Sequence, residues 1–365
     1  KDIYMKLVLT KGYKKKPKGL KHFFDKNGIS IHGDMGVQSS SLSNGNQLFS
    51  LGNVVGFCDS GNNMRKVSGN DFTEVFQSGY SEDAVKKLEG RFIMMFCDQS
   101  TGSVHIFTDR YGQFDCYYFT DGNKTVFASD LSLLPESPSS GGYDQIGLTH
   151  TLTVYGSRPA KRQTIYKNVS RLGVGEMASI TSEKTIFSNF EFKPIKIGSY
   201  GDNEHQLYAD IFLDALKVRG SDKENLVYLS SGWDSTSILG GLVHIFGAEK
   251  VKGVIGRMRY SKRAGIINPF EIERAKKVAD YYGVSLEVIE FDYSKKVPHL
   301  IFDDLKETMK NNFVFSPTIF NHGILADYVA KNFSNEVSVF TGEISDGAHN
   351  LGFSQFVIQS VKNFR

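Results

Sequence analysis

Ser230, Ser231, Gly232, Asp234 and Ser235 lie between an apolar run at residues 226–229 and an apolar helical pattern that begins at Thr236. A strand that turns this abruptly into a helix leaves several backbone N–H groups unpaired at the helix start. Those donors, with the helix dipole behind them, favour a bound anion, above all a phosphate. Asp234 adds a carboxylate, and Mg²⁺ takes oxygen ligands that it shares with phosphates. The chemistry within reach is therefore to hold the pyrophosphate of ATP beside a magnesium ion. The same residue types also suit an ordinary strand-to-helix turn with a Ser or Asp N-cap. The stretch alone leaves both readings open.

The elements that would position these residues follow from the pattern around them. After residue 205 helices (206–218, 236–246, 270–282, 300–310, 318–333) alternate with strands (226–229, 251–255, 286–291, 336–341). Such alternation predicts a parallel sheet with helices on both faces, and ligands beyond the carboxyl ends of its strands. The Ser230 turn and the segment after Val339 both lie at such ends. Residues 1–192 read differently. Short strand patterns recur at 1–10, 29–31, 47–51, 54–58, 91–98, 104–108, 116–120 and 125–128, with a helix expected over 71–88. A polar, Gly-containing stretch at 193–204 separates this β-rich domain from an α/β domain at 205–365. Asp109 and Arg110 read as a turn ion pair. Trp233, inside the turn, is expected to pack against its own domain.

Bulk properties restrict the function classes. The 365 residues suit about two or three domains. Twenty-eight Phe and 17 Tyr can build a sizeable core, and a formal charge of +3 supplies no field for nucleic acid or membrane. The three cysteines, Cys58, Cys97 and Cys116, stand singly, with neither disulfide nor metal spacing. No apolar run approaches a membrane span, and the start has no signal-peptide shape, so a cytoplasmic protein is expected. The basic loop at residues 11–21 reads as a solvated face.

Ser230-Ser-Gly-Trp-Asp-Ser235 is one substitution from the S-G-G-x-D-S pattern of ATP pyrophosphatases. The run from Glu271 to Gly283, Ser316-Pro-Thr318 and Thr341-Gly-Glu-Ile-Ser-Asp346 resemble successive blocks of the asparagine synthetases, in the same order and spacing. In the first half, Leu88-Glu-Gly-Arg-Phe92, Thr108-Asp-Arg-Tyr-Gly112 and Phe127-Ala-Ser-Asp130 resemble the glutaminase-type domain of that superfamily. The resemblance implies an N-terminal Ntn-hydrolase-like αββα sandwich and a C-terminal parallel-sheet, PP-loop adenylating domain that continues past Arg365. It further implies that Ser230, Ser231, Gly232, Asp234, Ser235 and Gly342 cradle pyrophosphate. Leu229, Val254, Ile255 and Gly256 would meet adenine and ribose. Asp234 and Asp346 would hold Mg²⁺, and Glu343 and Asp346 would serve catalysis. Glu271 and Arg257 are weaker substrate candidates. Glu271 and Glu273, two apart on one helix, cannot face the same way.

Two departures shape the expected activity. Glutamine-dependent members begin with a nucleophilic cysteine activated by its own α-amine; here the sequence starts Lys1-Asp-Ile-Tyr4, and the family's glutamine pocket is not visible apart from Asp71. The first domain is therefore expected to lack glutaminase activity, as in β-lactam synthetases and lasso-peptide cyclases. Ser231 replaces the first loop glycine, and serine does not enter positive φ freely. The expected activity is that of an ATP- and Mg²⁺-dependent ligase. It would adenylate a small-molecule, peptide or sugar carboxylate, release pyrophosphate and pass the acyl group to ammonia or an amine donor; a homodimer is one assembly left open. A glutamine-dependent asparagine synthetase and a catalytically dead nucleotide-binding scaffold are the alternatives.

Overall fold

The computed structural model describes residues 5–13, 17–59, 63–154, 160–190, 201–259, 261–263, 265–293, 306 and 318–342. The described residues up to Phe190 form one compact unit and those from Gly201 to Gly342 a second. The expected helix at 300–310 lies outside the described residues apart from Lys306.

The first unit is built on two antiparallel sheets. One contains β1 (Leu7–Lys11), β2 (Lys21–Lys26), β3 (Ile29–Gly33), β9 (Tyr117–Asp121), β10 (Lys124–Ala128) and β11 (Ser170–Arg171), in the order β11-β9-β10-β1-β3-β2. The other contains β4 (Gln38–Ser41), β5 (Gln47–Cys58), β7 (Leu88–Cys97), β8 (Val104–Thr108), β12 (Glu176–Ile180) and β13 (Thr185–Asn189), in the order β13-β12-β8-β7-β5-β4, with β6 (Met64–Lys66) on β5. Period-two alternation sorts their side chains. On β7, Ile93 and Met95 point to the core shared with Leu9, Ile31 and Phe127 of the other sheet. Phe92, Met94 and Phe96 point outward, to a second core with Phe72, Phe76 and Val85. The sandwich is the expected one, but its described outer helices are short. Instead of one helix at 71–88 there is a 3₁₀ turn, Asp71–Phe76, and a separate α1 (Glu82–Lys86). Gly79 at φ +100° breaks the run, and Ser81 caps α1 by accepting from the Ala84 N–H at 3.1 Å. The two strands expected at 47–51 and 54–58 are one, β5: Gly52 and Asn53 stay in register with Phe92 and Arg91, and a bulge follows between Val54 and Gly56.

Asp109 and Arg110 do not pair with each other, contrary to expectation. The buried Asp109 carboxylate accepts from the backbone N–H groups of Tyr111, Gln113 and Phe114 at 3.2, 2.9 and 3.1 Å. Arg110 instead reaches Glu89 at 3.2 Å. The polar turn is held by a carboxylate that satisfies backbone donors, which residue types alone do not distinguish from an ion pair.

His105 on β8 stacks on Tyr80, with centroids 3.9 Å apart, and its Nδ1 lies 2.8 Å from Ser179 Oγ. Burial holds its imidazole below the ordinary pKa. The neutral form is therefore the folded form, and the unfolded chain binds the extra proton. Stability from this site is complete above about pH 6.5 and is lost as pH falls from there through the lowered value. Urea midpoints between pH 7.5 and 5 are expected to fall more steeply in the wild type than in His105→Gln; parallel slopes would contradict this.

The second unit carries a parallel sheet of β14 (Glu224–Tyr228), β15 (Val251–Arg259), β16 (Ser285–Asp292) and β17 (Val337–Thr341), in the order β16-β15-β14-β17. Three helices, α3 (Asp202–Arg219), α4 (Trp233–Phe246) and α5 (Pro269–Tyr282), bury one face through Leu216, Leu239, Leu242, Ile272 and Ala275 against Val227 and Ile255. The fourth, α6 (Thr318–Asn332), covers the other through Leu325 and Val329 against Leu226 and Val254. Both faces of β14 and β15 are covered, so these strands read as apolar runs rather than as alternation. Pro269 opens α5, and Gly283 closes it at φ +68°. Chain order reverses between β14 and β17, which makes the crevice beyond their carboxyl ends the expected ligand position in such a sheet.

Candidate functional site

The residues at that crevice come from the end of β14 and the start of α4. Leu229 is buried and donates its N–H to Val254 O at 2.9 Å, so the chain stays beside β15 for one residue past the strand. It then turns. The buried Ser235 hydroxyl accepts from the Ser230 N–H at 3.2 Å and lies 3.2 Å from Ser230 Oγ. Its work in this structure is to hold the loop closed. Gly232 is the N-cap of α4 and supplies no side-chain cap, so among the described residues no side chain caps the first-turn N–H groups.

Ser231 adopts φ +64°, the left-handed region. The glycine-type backbone of the S-G-G pattern is thus retained with a serine in it. Its Oγ is buried and has no hydrogen-bond partner among the described residues. A non-glycine residue at positive φ costs about 1–2 kcal/mol, and a buried unpaired hydroxyl about 1–3 kcal/mol. Ser231→Gly loses up to about 1 kcal/mol through the unfolded chain. The net expectation is a gain of roughly 1 kcal/mol, measured as a raised urea midpoint. Ser231→Val, β-branched at the same φ, should lower it; a lower midpoint for the glycine variant would rule out strain here.

Two clefts adjoin at Ser230 and Glu271. The smaller, of 180 Å³, is lined by Leu229, Val254, Ile255, Gly256, Met258, Phe291 and Leu325, with Tyr228 and Asn268 at its polar positions. Burial raises the Tyr228 phenol, so it stays a neutral donor. Gly256 is obligatory, because a Cβ there would run into the Phe291 ring. The larger cleft, of 470 Å³, is lined by Ser230, Ser231, Gly232, Trp233, Thr236, Glu271, Arg274 and Val278. The first is apolar with a few polar groups, and the second is ringed by hydroxyls and charges. Together they suit a ligand with a flat apolar end and an anionic end.

The structure brings together most of the residues singled out from the sequence. Leu229, Ser230, Val254, Ile255, Gly256 and Glu271 share the first cleft, and Ser230, Ser231, Gly232 and Glu271 the second. Glu273 turns away and pairs with Lys277 at 2.9 Å. Gly342 ends β17 against the start of α4: a Cβ there would lie 2.7 Å from Ser235 N and 3.1 Å from Asp234 Cβ. Asp234 occupies the first turn of α4. Glu343 and Asp346 lie outside the described residues. Arg257 does not join the group. β15 runs on to Arg259, so Arg257 is a strand residue, and it pairs with Glu290 of β16. Trp233 does not pack against its domain as expected. It is the first residue of α4, at the edge of the second cleft, and is 90% exposed.

Two cleft residues escaped the sequence reading. Asn268 precedes α5, and its side chain braces the first cleft. Oδ1 accepts from the Met258 N–H at 3.0 Å, while Nδ2 donates to Gly256 O at 2.8 Å and to Glu271 Oε2 at 3.3 Å. The signal was the Asn268-Pro269 pair, a helix start. Arg274, one turn beyond Glu271, lines the second cleft; it carried no signal beyond its charge.

Comparison with known proteins bears first on the other unit. Residues 62–191 match the family described as a glutamine amidotransferase domain. Over those residues the first unit is similar to such domains. A putative glutamine-hydrolyzing asparagine synthetase 2 of Methanocaldococcus jannaschii is 27% identical over 192 residues, 49% of this chain and 36% of that protein. The chain thus spans about a third of the length of this curated relative, and it is similar to the asparagine synthetase superfamily. Among solved structures, a glutamine-dependent NAD+ synthetase from Acinetobacter baumannii overlaps 52% of this chain and 33% of its own, at 18% identity and a TM-score of 0.28. A glutamine phosphoribosylpyrophosphate amidotransferase from B. subtilis overlaps 72% and 51%, at 14% identity and a TM-score of 0.27. Among the described residues of the first unit no thiol is activated. Burial pushes Cys116 up to about 12 and raises Cys58 and Cys97 as well. Among the described residues no helix is long and apolar enough to cross a membrane, and no cluster of three His, Cys, Asp or Glu residues could hold a metal ion.

Proposed function

We propose that the second unit binds ATP and uses it to adenylate a carboxylate, and that the acyl group then passes to a nitrogen nucleophile. The observation that carries this reading is the pair of joined clefts beyond the carboxyl ends of β14 and β15 of a parallel sheet, one apolar and one polar, with the Ser230–Gly232 turn at the junction. The adenine and ribose would lie along Leu229 and Val254–Gly256. The phosphates would meet the Ser231 hydroxyl and the uncapped N–H groups of α4, which face them with no reorganisation required. Asp234 has no hydrogen bond or ion pair among the described residues, so its carboxylate is available to Mg²⁺. One protein carboxylate suits that ion, which is held by one or two carboxylates plus phosphates and water; Asp346 would be the second. When bound, magnesium would neutralise phosphate charge as the carboxylate approaches. Asn268 orients Glu271 at the junction of the clefts, where a carboxylate can orient an amine.

The test is pyrophosphate release from ATP against a panel of small-molecule, amino-acid and sugar carboxylates. Release that depends on one class of carboxylate supports the reading; binding of ATP with no release on any of them leaves the dead-scaffold alternative. A second reading, glutamine-dependent amidation, is favoured by the amidotransferase match over residues 62–191. It needs an activated thiol, and the raised values of Cys58, Cys97 and Cys116 do not supply one. Ammonia release from glutamine would establish it.

A further inference from the structure

We infer that Arg274 is a specificity-determining residue of the nucleotide site, the cation that reads the terminal phosphates and makes the site prefer a nucleoside triphosphate to a monophosphate. This rests on the ATP reading above. Arg274 lines the same 470 Å³ cleft as the Ser230–Gly232 turn and Thr236 of α4. It lines no part of the apolar cleft. It has no ion-pair or hydrogen-bond partner among the described residues, although Glu271 stands three residues away, at a spacing that brings helix neighbours together. Glu271 is instead oriented by Asn268. Two basic residues of β15 and α5 are engaged elsewhere: Arg257 pairs with Glu290 and Lys277 with Glu273. Arg274 thus leaves an unspent guanidinium on the wall of a cleft whose loop offers uncapped N–H donors and the unpartnered Ser231 hydroxyl. A guanidinium meets phosphate oxygens with two parallel N–H donors, a geometry an ammonium does not reproduce. Because the arginine borders the polar cleft alone, it discriminates by phosphate number and leaves adenosine recognition untouched.

The experiment is calorimetric titration of the whole chain with Mg²⁺-ATP and with AMP, using wild type, Arg274→Ala and Arg274→Lys. Arg274 is exposed, so its removal leaves the core intact, and a circular-dichroism melt checks this. Arg274→Ala is expected to weaken ATP binding by about tenfold or more, Arg274→Lys by less, with AMP binding unchanged in both. Equal weakening of ATP and AMP, or no weakening of either, overturns the inference while leaving ATP binding itself in place. A wild type that binds neither nucleotide overturns the ATP reading, and this inference falls with it.

Discussion

Asp115→Ala is expected to destabilise the first unit by about 3–5 kcal/mol, the cost of removing one partner from a buried ion pair. Arg171 has a side chain only 1% exposed, and its guanidinium cannot shed its proton. Nε and one terminal nitrogen donate to Gln163 O at 3.2 and 2.9 Å, and the other terminal nitrogen reaches Asp115 Oδ1 at 3.4 Å. Lys161 closes on the same carboxylate. Without Asp115, two cations share a poorly solvated pocket. Lys161 can turn to water; Arg171 cannot. The loss should appear as a lower urea midpoint followed by circular dichroism. Arg171→Met, which removes the buried charge and keeps the apolar stem, should cost less than Asp115→Ala. The reverse order, or a change for Asp115→Ala within about 0.5 kcal/mol, the range of ordinary surface substitutions, would show that the carboxylate does not neutralise Arg171.

Asp234→Asn is expected to leave the fold intact and to lower carboxylate-dependent pyrophosphate release by about two orders of magnitude. Asparagine keeps the size and the place in the first turn of α4. It loses the favourable interaction with the helix dipole, about 0.3–1 kcal/mol. What it removes from the site is the described carboxylate that could share Mg²⁺ with the phosphates. Loss of about 3 kcal/mol of charge stabilisation at the reacting phosphate corresponds to about a hundredfold in rate. Unchanged release with an unchanged melt would take Asp234 out of the chemistry; lost release with an equally lowered melt would make it structural.

Much of the second unit was legible because its strands and helices carry long, distinct apolar periods. The Val227 and Ile255 face and the Leu226 and Val254 face both follow from runs that only a parallel sheet covered on two sides would bury. The turn was legible for a related reason: few sequences set a strand directly against a helix with Ser-Ser-Gly between. What the sequence hid was direction. Asp109 and Arg110 look like an ion pair until their partners, backbone N–H groups and Glu89, come from elsewhere in the chain. Trp233 looks like a core residue, yet as the first residue of α4 it is exposed. Arg257 and Arg274 are equivalent in composition, yet Glu290 on the next strand takes the first and the polar cleft keeps the second. In the first unit, Gly52 and Asn53 of β5 read as a break between two strands, yet both stay in register with β7. The backbone of Ser231, at φ +64°, takes the left-handed conformation that glycine enters freely.

Phosphorus NMR of the products in the presence of an active carboxylate reads directly which bond of ATP is broken. Adenylation breaks the bond between the α- and β-phosphates, so AMP and pyrophosphate should form in equal amounts, and neither should form without the carboxylate. ADP and inorganic phosphate in their place would mean that the terminal phosphate is transferred and that no adenylate is made.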